Sequence, residues 1–152
     1  MTNEKNVSYQ TRALVMTALL AALSCVATLV IRIPSPTGGY MNLGDTVVLL
    51  GAYLLGGAYG AAAGAIGPAL ADLISGYTAY VPATMVIKAA MALLAAWIYR
   101  AAGKRTWSLV LASVAAELVM MTGYWLYDAL LAGSLVGALA GVPSNAVQSV
   151  LG

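Results

Sequence analysis

The sequence has no histidine, one cysteine and little charge of either sign. Seven Lys and Arg with five Asp and Glu make up 8% of its 152 residues, against about 25% in a soluble domain. So few charges do not cover a water-facing surface. Without His there is no His-based metal site and no His general base. Cys25 lies in an apolar run and reads as a small buried hydrophobe. No Gly-rich loop ending in Gly-Lys-Ser/Thr occurs, so the chain does not itself supply an ATPase. Glu117, alone in an apolar stretch, is not an acid/base pair. No chemistry on a substrate, no cofactor and no metal are expected. The formal charge of +2 is too small to indicate a polyanion, so nucleic acid is not an expected partner. No long internal repeat is visible, which gives no support to an inverted-repeat transporter.

What the chain has is apolar length. Hydrophobic residues make up 62%, and the mean hydropathy is +0.89 for a mass of 15.5 kDa. These values indicate an all-α integral membrane protein, a single transmembrane domain over residues 1–152, and exclude soluble enzymes and disulfide scaffolds. A polar segment, residues 1–12, precedes the first run, Ala13–Ile31, which is too long for a signal peptide and reads as a retained first span. Pro34, Pro36, Gly38 and Gly39 then make a structured loop. Further spans are expected at about Leu43–Leu55, Ala61–Ile74, Ala83–Tyr99 and Trp107–Tyr127. The joints are a glycine turn at 56–60, a loop at 75–82 and a short basic loop from Arg100 to Arg105. A sixth span starts near Pro143, but only nine residues follow it, whereas a crossing helix needs about 20. Either the sixth helix is truncated or residues 129–142 form a short crossing.

The basic residues set an orientation. Lys5 and Arg12 precede the first span, and Arg100, Lys104 and Arg105 lie between the fourth and fifth. Only Arg32 falls on the other side. The positive-inside rule then places the N terminus in the cytoplasm. Asp45, Asp72, Lys88, Asp128, Asn145 and Gln148 converge on the external half, with Glu117 near mid-membrane. Ionisable groups at such depths pair or line a cavity. A salt bridge or short polar network between Asp72 and Lys88 is expected, with Asp45 in the same structural set. Tyr40, Tyr77, Tyr80, Tyr124, Trp125 and Tyr127 lie near the same side, either as faces of a pocket or as an interfacial belt. In the first span, Ala18 and Ala22 sit four apart in a stripe of small residues. This spacing suits docking to a second membrane protein or ordinary packing within the chain.

Several stretches together carry a resemblance. They are Asn42-Leu43-Gly44-Asp45-Thr46-Val47-Val48-Leu49-Leu50, Tyr59-Gly60 after the glycine turn, and Ala69-Leu70-Ala71-Asp72-Leu73 followed by Gly76-Tyr77. Pro82-Ala83-Thr84, Ile87-Lys88, Pro143-Ser144-Asn145 with Gln148, and the Ala18/Ala22 motif complete the set. The chain resembles an S component of an energy-coupling factor (ECF) transporter, in the riboflavin-transporter-like branch that also holds carriers of vitamin precursors. The short sixth helix departs from that pattern. The resemblance implies a six-transmembrane-helix module in the cell membrane that captures a vitamin or precursor outside. It also implies work with a transmembrane coupling subunit, docked at Ala18 and Ala22, and two cytoplasmic ATPases.

A small heteroaromatic of the hydroxymethylpyrimidine or pyridoxine type is expected in preference to riboflavin. The expected contacts are Asn145 first, then Tyr124, Lys88 and Gln148, with Tyr40 and Tyr80. The pocket is expected beneath the loops at 32–42 and 75–82. Two other readings stand beside this one. One is a small oligomeric transporter or channel with Asp72, Lys88 and Glu117 along its route. The other is a ligand-free structural membrane subunit.

Overall fold

The computed structural model describes residues 2–152, with side chains from Val7 onward. The Lys5 side chain used in the orientation argument therefore lies outside the described residues. Six helices follow one another: α1 (Thr2–Val30), α2 (Gly44–Leu54), α3 (Gly57–Ile74), α4 (Val81–Ala101), α5 (Thr106–Ala132) and α6 (Val142–Leu151). A two-stranded hairpin, β1 (Ile33–Pro34) and β2 (Tyr40–Met41), joins α1 to α2, pairing Ile33 with Met41 and Pro34 with Tyr40.

The fold is built around α3. It packs against α1 on one side and α4 on the other, with α2 laid across all three. α5 continues the row beyond α4, and α6 packs on α5 and reaches α2 and β2. Helix α3 is rich in Gly and Ala because its neighbours touch its backbone. A Cβ at Gly64 would sit 3.0 Å from Val48 Cγ1 and 3.3 Å from the Lys88 carbonyl. At Gly67 it would run into the Ala21 carbonyl and stand 2.9 Å from Ser24 Cβ. Small residues permit this approach where lipid offers no hydrophobic force between helices. The α4–α5 seam uses the same device, with Ala92, Ala95, Ala96, Ala112 and Ala116 closing on Met91 and Met120.

Helix α1 buries Ala13, Thr17, Leu20, Ala21, Ser24, Cys25 and Thr28, a stripe at helical spacing that faces α3 and α2. Its other face exposes Leu14, Val15, Leu19, Leu23 and Val26. Exposed large apolar side chains also cover α4 and α5, including Leu93, Trp97, Val110, Leu111, Val114 and Leu118. A surface of this kind is solvated by lipid. Three stretches are long and apolar enough to cross a membrane, Val7–Val30, Val81–Ala101 and Thr106–Ala132, while α2 is a shorter apolar helix.

Most expected spans are found with shifted ends. α1 begins well before Ala13, within the polar segment. The glycine turn contracts to the Leu55–Gly56 joint, since α3 already starts at Gly57. The short-crossing reading of residues 129–142 does not hold. α5 runs on to Ala132 and stops at Gly133, whose φ of +65° suits glycine. A 3-10 turn, Gly137–Gly141, then leads into α6, with Pro143 in its first turn.

Candidate functional site

The three joints at the hairpin end converge on one cavity. About 410 Å³ of non-atom space lies there, open solvent at the mouth included. The hairpin supplies Ser35, Thr37, Gly39, Tyr40 and Asn42. The helix ends supply Asp72 (α3), Tyr80 and Thr84 (start of α4), Tyr124 and Asp128 (end of α5), and Asn145 and Gln148 (α6). The hairpin turn is held by Ser35 N–H donating to the Gly39 carbonyl at 2.8 Å, with Gly38 at φ +96°. The turn lies on Tyr80, with the Gly39 position at van der Waals distance from the ring.

A continuous polar network backs the cavity. Tyr40 donates to Asp72 Oδ1 at 2.6 Å, and Thr84 donates to Asp72 Oδ2 at 2.5 Å. The Thr84 hydroxyl also meets the Tyr124 hydroxyl at 2.9 Å. Below this layer, Lys88 Nζ lies 5.5 Å from the Tyr124 ring centroid and makes a salt bridge with Asp45. Gln148 Nε2 donates to the second Asp45 oxygen at 2.6 Å, while its Oε1 accepts the Asn42 amide at 2.9 Å. Asn42 Oδ1 in turn accepts the Gly44 amide at 2.8 Å, at the first residue of α2. The chain of contacts thus ties β2 and five helices together. Each buried charge in it meets a donor or a counter-ion, as low-dielectric surroundings require.

The mouth is aromatic. The Tyr40 and Tyr77 rings lie 4.6 Å apart, and Tyr80 stands 6.4, 6.5 and 5.6 Å from Tyr77, Tyr124 and Tyr127. Tyr80 donates to Asp128 Oδ1 at 2.8 Å, and Tyr127 donates to the Ala79 carbonyl. Trp125 donates to the Leu135 carbonyl at 3.1 Å, pinning the segment before the 3-10 turn to α5. Burial, and then the hydrogen bond to Asp72, push the Tyr40 phenol above its ordinary value. Burial and Asp128 do the same to Tyr80. Both phenols are therefore protonated donors at neutral pH.

The structure places Asn145, Tyr124, Gln148, Tyr40 and Tyr80 on this one cavity. Asn145 stands apart from the others, because among the described residues its side-chain amide makes no hydrogen bond. Lys88 differs from expectation. It does not line the cavity, it is 1% exposed, and its carboxylate partner is Asp45 rather than Asp72. The physical reason is that Asp72 is held by two hydroxyls, whereas Asp45, 0% exposed, has no other cation beside it among the described residues. Asp72 and Lys88 are linked only indirectly, through Thr84 and Tyr124.

Asn42, Thr84 and Asp128 line the cavity without being among the expected ligand contacts, although the sequence places Asp128 in the external polar cluster. Asp128 is the one with a signal, a carboxylate at the outer end of an apolar helix. Glu117 lies on α5 away from the cavity, buried, and neither of its oxygens has a hydrogen-bond partner among the described residues. Ala18 and Ala22 are both exposed, on the α1 face opposite its buried stripe.

At the other end of the bundle, Arg100 lies against Gly56, where a Cβ would stand 2.5 Å from its guanidinium. The α2–α3 and α4–α5 joints therefore share the basic end. No group of three or more Cys, Asp or Glu able to hold a metal ion occurs among the described residues.

A family model described as the S component of the ECF-type riboflavin transporter matches residues 8–152. A protein of Pyrococcus woesei, described only as an uncharacterized protein in the gap 3' region, is 36% identical over 129 residues, which is 84% of each chain. A solved S component of a bacterial ECF transporter superposes with a TM-score of 0.70, covering 93% of this chain and 89% of that one at 22% identity. That likeness carries the fold, six helices arranged as in an S component.

Proposed function

Because this chain belongs to the family of ECF-type riboflavin transporter S components, we propose that it captures a vitamin or vitamin precursor from outside the cell and passes it to an ATP-driven coupling module. One observation carries the binding role: aromatic faces, fixed hydroxyls and an unengaged Asn145 amide meet in a cavity assembled from the hairpin and four helices. A flat heteroaromatic ring matches that inventory. It stacks on tyrosine faces, while amide and hydroxyl groups read its edge.

The orientation comes from charge. Arg100, Lys104 and Arg105 lie at the end remote from the cavity, and the N-terminal basic residue Arg12 lies toward that end of α1. With these in the cytoplasm, the N terminus is cytoplasmic and the cavity opens outward. The exposed Ala18 and Ala22 offer a flat strip where a helix of a coupling subunit can approach closely. Two cytoplasmic ATPases would supply the energy through that subunit.

A single-ring pyrimidine or pyridine is the first substrate reading. It asks for one ring face and one polar edge, which the tyrosines and the Asn145 amide supply. Riboflavin is the second reading, favoured by the description of the matching family. Native mass spectrometry of the detergent-purified chain, followed by titration with hydroxymethylpyrimidine, pyridoxine, thiamine and riboflavin, tests both. Saturable binding of one of them that is lost in an Asn145 variant supports capture. Absence of binding by all four, in a chain that keeps its helical content, removes it.

A further inference from the structure

We propose that this cavity selects a ligand carrying a positively charged or hydrogen-donating nitrogen, such as an amino-substituted or protonated heteroaromatic ring, and rejects anionic forms such as phosphate esters and carboxylates. The inference rests on the capture reading above and adds the charge class of the substrate.

The cavity wall holds two carboxylates, Asp72 and Asp128, and no Lys or Arg. Both are nearly fully buried, at 4% and 5% exposure. The positive charge nearest beneath them belongs to Lys88, and it is paired with Asp45 in the one salt bridge among the described residues. Arg32 is exposed and is not part of the wall.

The carboxylates differ in what they still lack. Asp72 has a hydroxyl on each oxygen, from Tyr40 and Thr84. Neutral donors satisfy its lone pairs but leave its charge uncancelled. Asp128 has Tyr80 on Oδ1, and among the described residues nothing donates to Oδ2. Gly141 lies beside that oxygen, and a Cβ there would stand 3.0 Å from Oδ2. The same Cβ would come closer still to the Thr37 side chain, 2.6 Å from Oγ1, so Thr37 shares the neighbourhood of this oxygen without donating to it.

A buried carboxylate without a counter-ion is costly unless a cation or strong donor reaches it. A ligand nitrogen that donates to Asp128 Oδ2 supplies what the protein omits. The surrounding tyrosines add to the preference, since ring faces attract cations. An anionic ligand would meet two like charges and no compensating cation in the wall, with only the exposed Arg32 acting on Tyr40 from outside it.

The test measures affinity on the purified full chain in lipid nanodiscs. The probes are thiamine and pyridoxamine as cations, pyridoxine and riboflavin as neutral ligands, and thiamine monophosphate and flavin mononucleotide as anionic esters. Esters binding at least tenfold more weakly than their parent compounds support the inference. So does an Asp128→Asn change that lowers the ratio of cation to neutral-ligand affinity by on the order of thirtyfold, the loss typical of a buried charge pair. The Asn keeps an acceptor for Tyr80, and Asp128→Glu, which restores the charge, should recover part of the ratio. If D128N does not fold, the ester-to-parent comparison on the unaltered chain decides alone. Esters that bind as tightly as their parents, with binding lost in N145A, overturn the charge inference and leave capture standing. If no probe of any charge binds, capture itself fails and the charge inference falls with it.

Discussion

Asn145 and Lys88 show how differently two polar residues of the same region behave. The Asn145 amide lines the cavity and makes no hydrogen bond to a described residue. A substrate edge that pairs with it gains bonds that the surrounding side chains do not compete for. N145A should weaken substrate binding by about 1–3 kcal/mol with no change in thermal stability, measured by titration and by melting of the same sample. An unchanged affinity would remove Asn145 from the site. Lys88 is expected to serve stability instead, since it is buried against Asp45 and beneath the Tyr124 ring. K88M strands the Asp45 carboxylate and should cost about 3–5 kcal/mol of stability. The D45N/K88M double variant should recover much of that loss, because no charge is then left unpaired. A double variant as unstable as K88M would show that packing, not charge, holds this position.

These two residues also mark what the sequence made legible. The clustering of Asp45, Asp72, Lys88, Asp128, Asn145 and Gln148 at one end followed from span counting alone. The identity of the lysine's partner did not. Asp45 sits in the first turn of α2 and Asp72 in the last turn of α3, on the same side of the bundle, and what distinguishes them is the hydroxyls of Tyr40 and Thr84 that satisfy Asp72.

At the scale of elements, hydropathy located the long helices but misplaced the ends where glycine acts in more than one way. Gly56 and Gly57, with φ of +61° and +45°, turn the chain. Gly60, Gly64 and Gly67, inside α3, are there for close contact and not for a turn. Composition does not separate these uses, since both appear as glycine beside alanine. The part of α1 before Ala13 was missed for a related reason, because a helix extending beyond the apolar layer can be polar all round. The close contacts carry their own prediction. Gly67 faces the Ala21 carbonyl and Ser24 of α1, and neither backbone can give way without shifting a whole helix. G67V should destabilise the fold by about 1–3 kcal/mol, the usual cost of overpacking, read as a lower melting temperature in detergent. A valine at the open Gly103, where a Cβ would have no atom within 4 Å, meets no such neighbour but does meet an unfavourable φ of +72°. Its cost should therefore stay confined to the α4–α5 joint.

At the scale of the whole molecule, the surfaces proposed for binding and for docking are different, and the fold separates them. The cavity lies where the hairpin, α4, α5 and α6 converge, while the exposed Ala18 and Ala22 lie on α1, which packs on α3 and α2. Of these two neighbours, α3 contributes Asp72 to the cavity, and α2 contributes Asp45 to the network behind it. Bulk added on the outer face of α1 therefore has no direct route into the ligand site. A18W and A22W should each leave substrate affinity within about twofold of the unaltered chain, because neither residue contacts the cavity and surface changes are usually small. Uptake into cells that carry the coupling subunit and ATPases should nevertheless fall by on the order of tenfold or more, since a tryptophan holds two helices apart where small residues allow contact. The measurement pairs titration of purified protein with uptake of labelled substrate by the same variants. Full uptake with Trp at both positions would move the docking surface off this face of α1. Equal loss of binding and uptake would show instead that α1 transmits bulk through α3 to Asp72, so that the two surfaces are mechanically one.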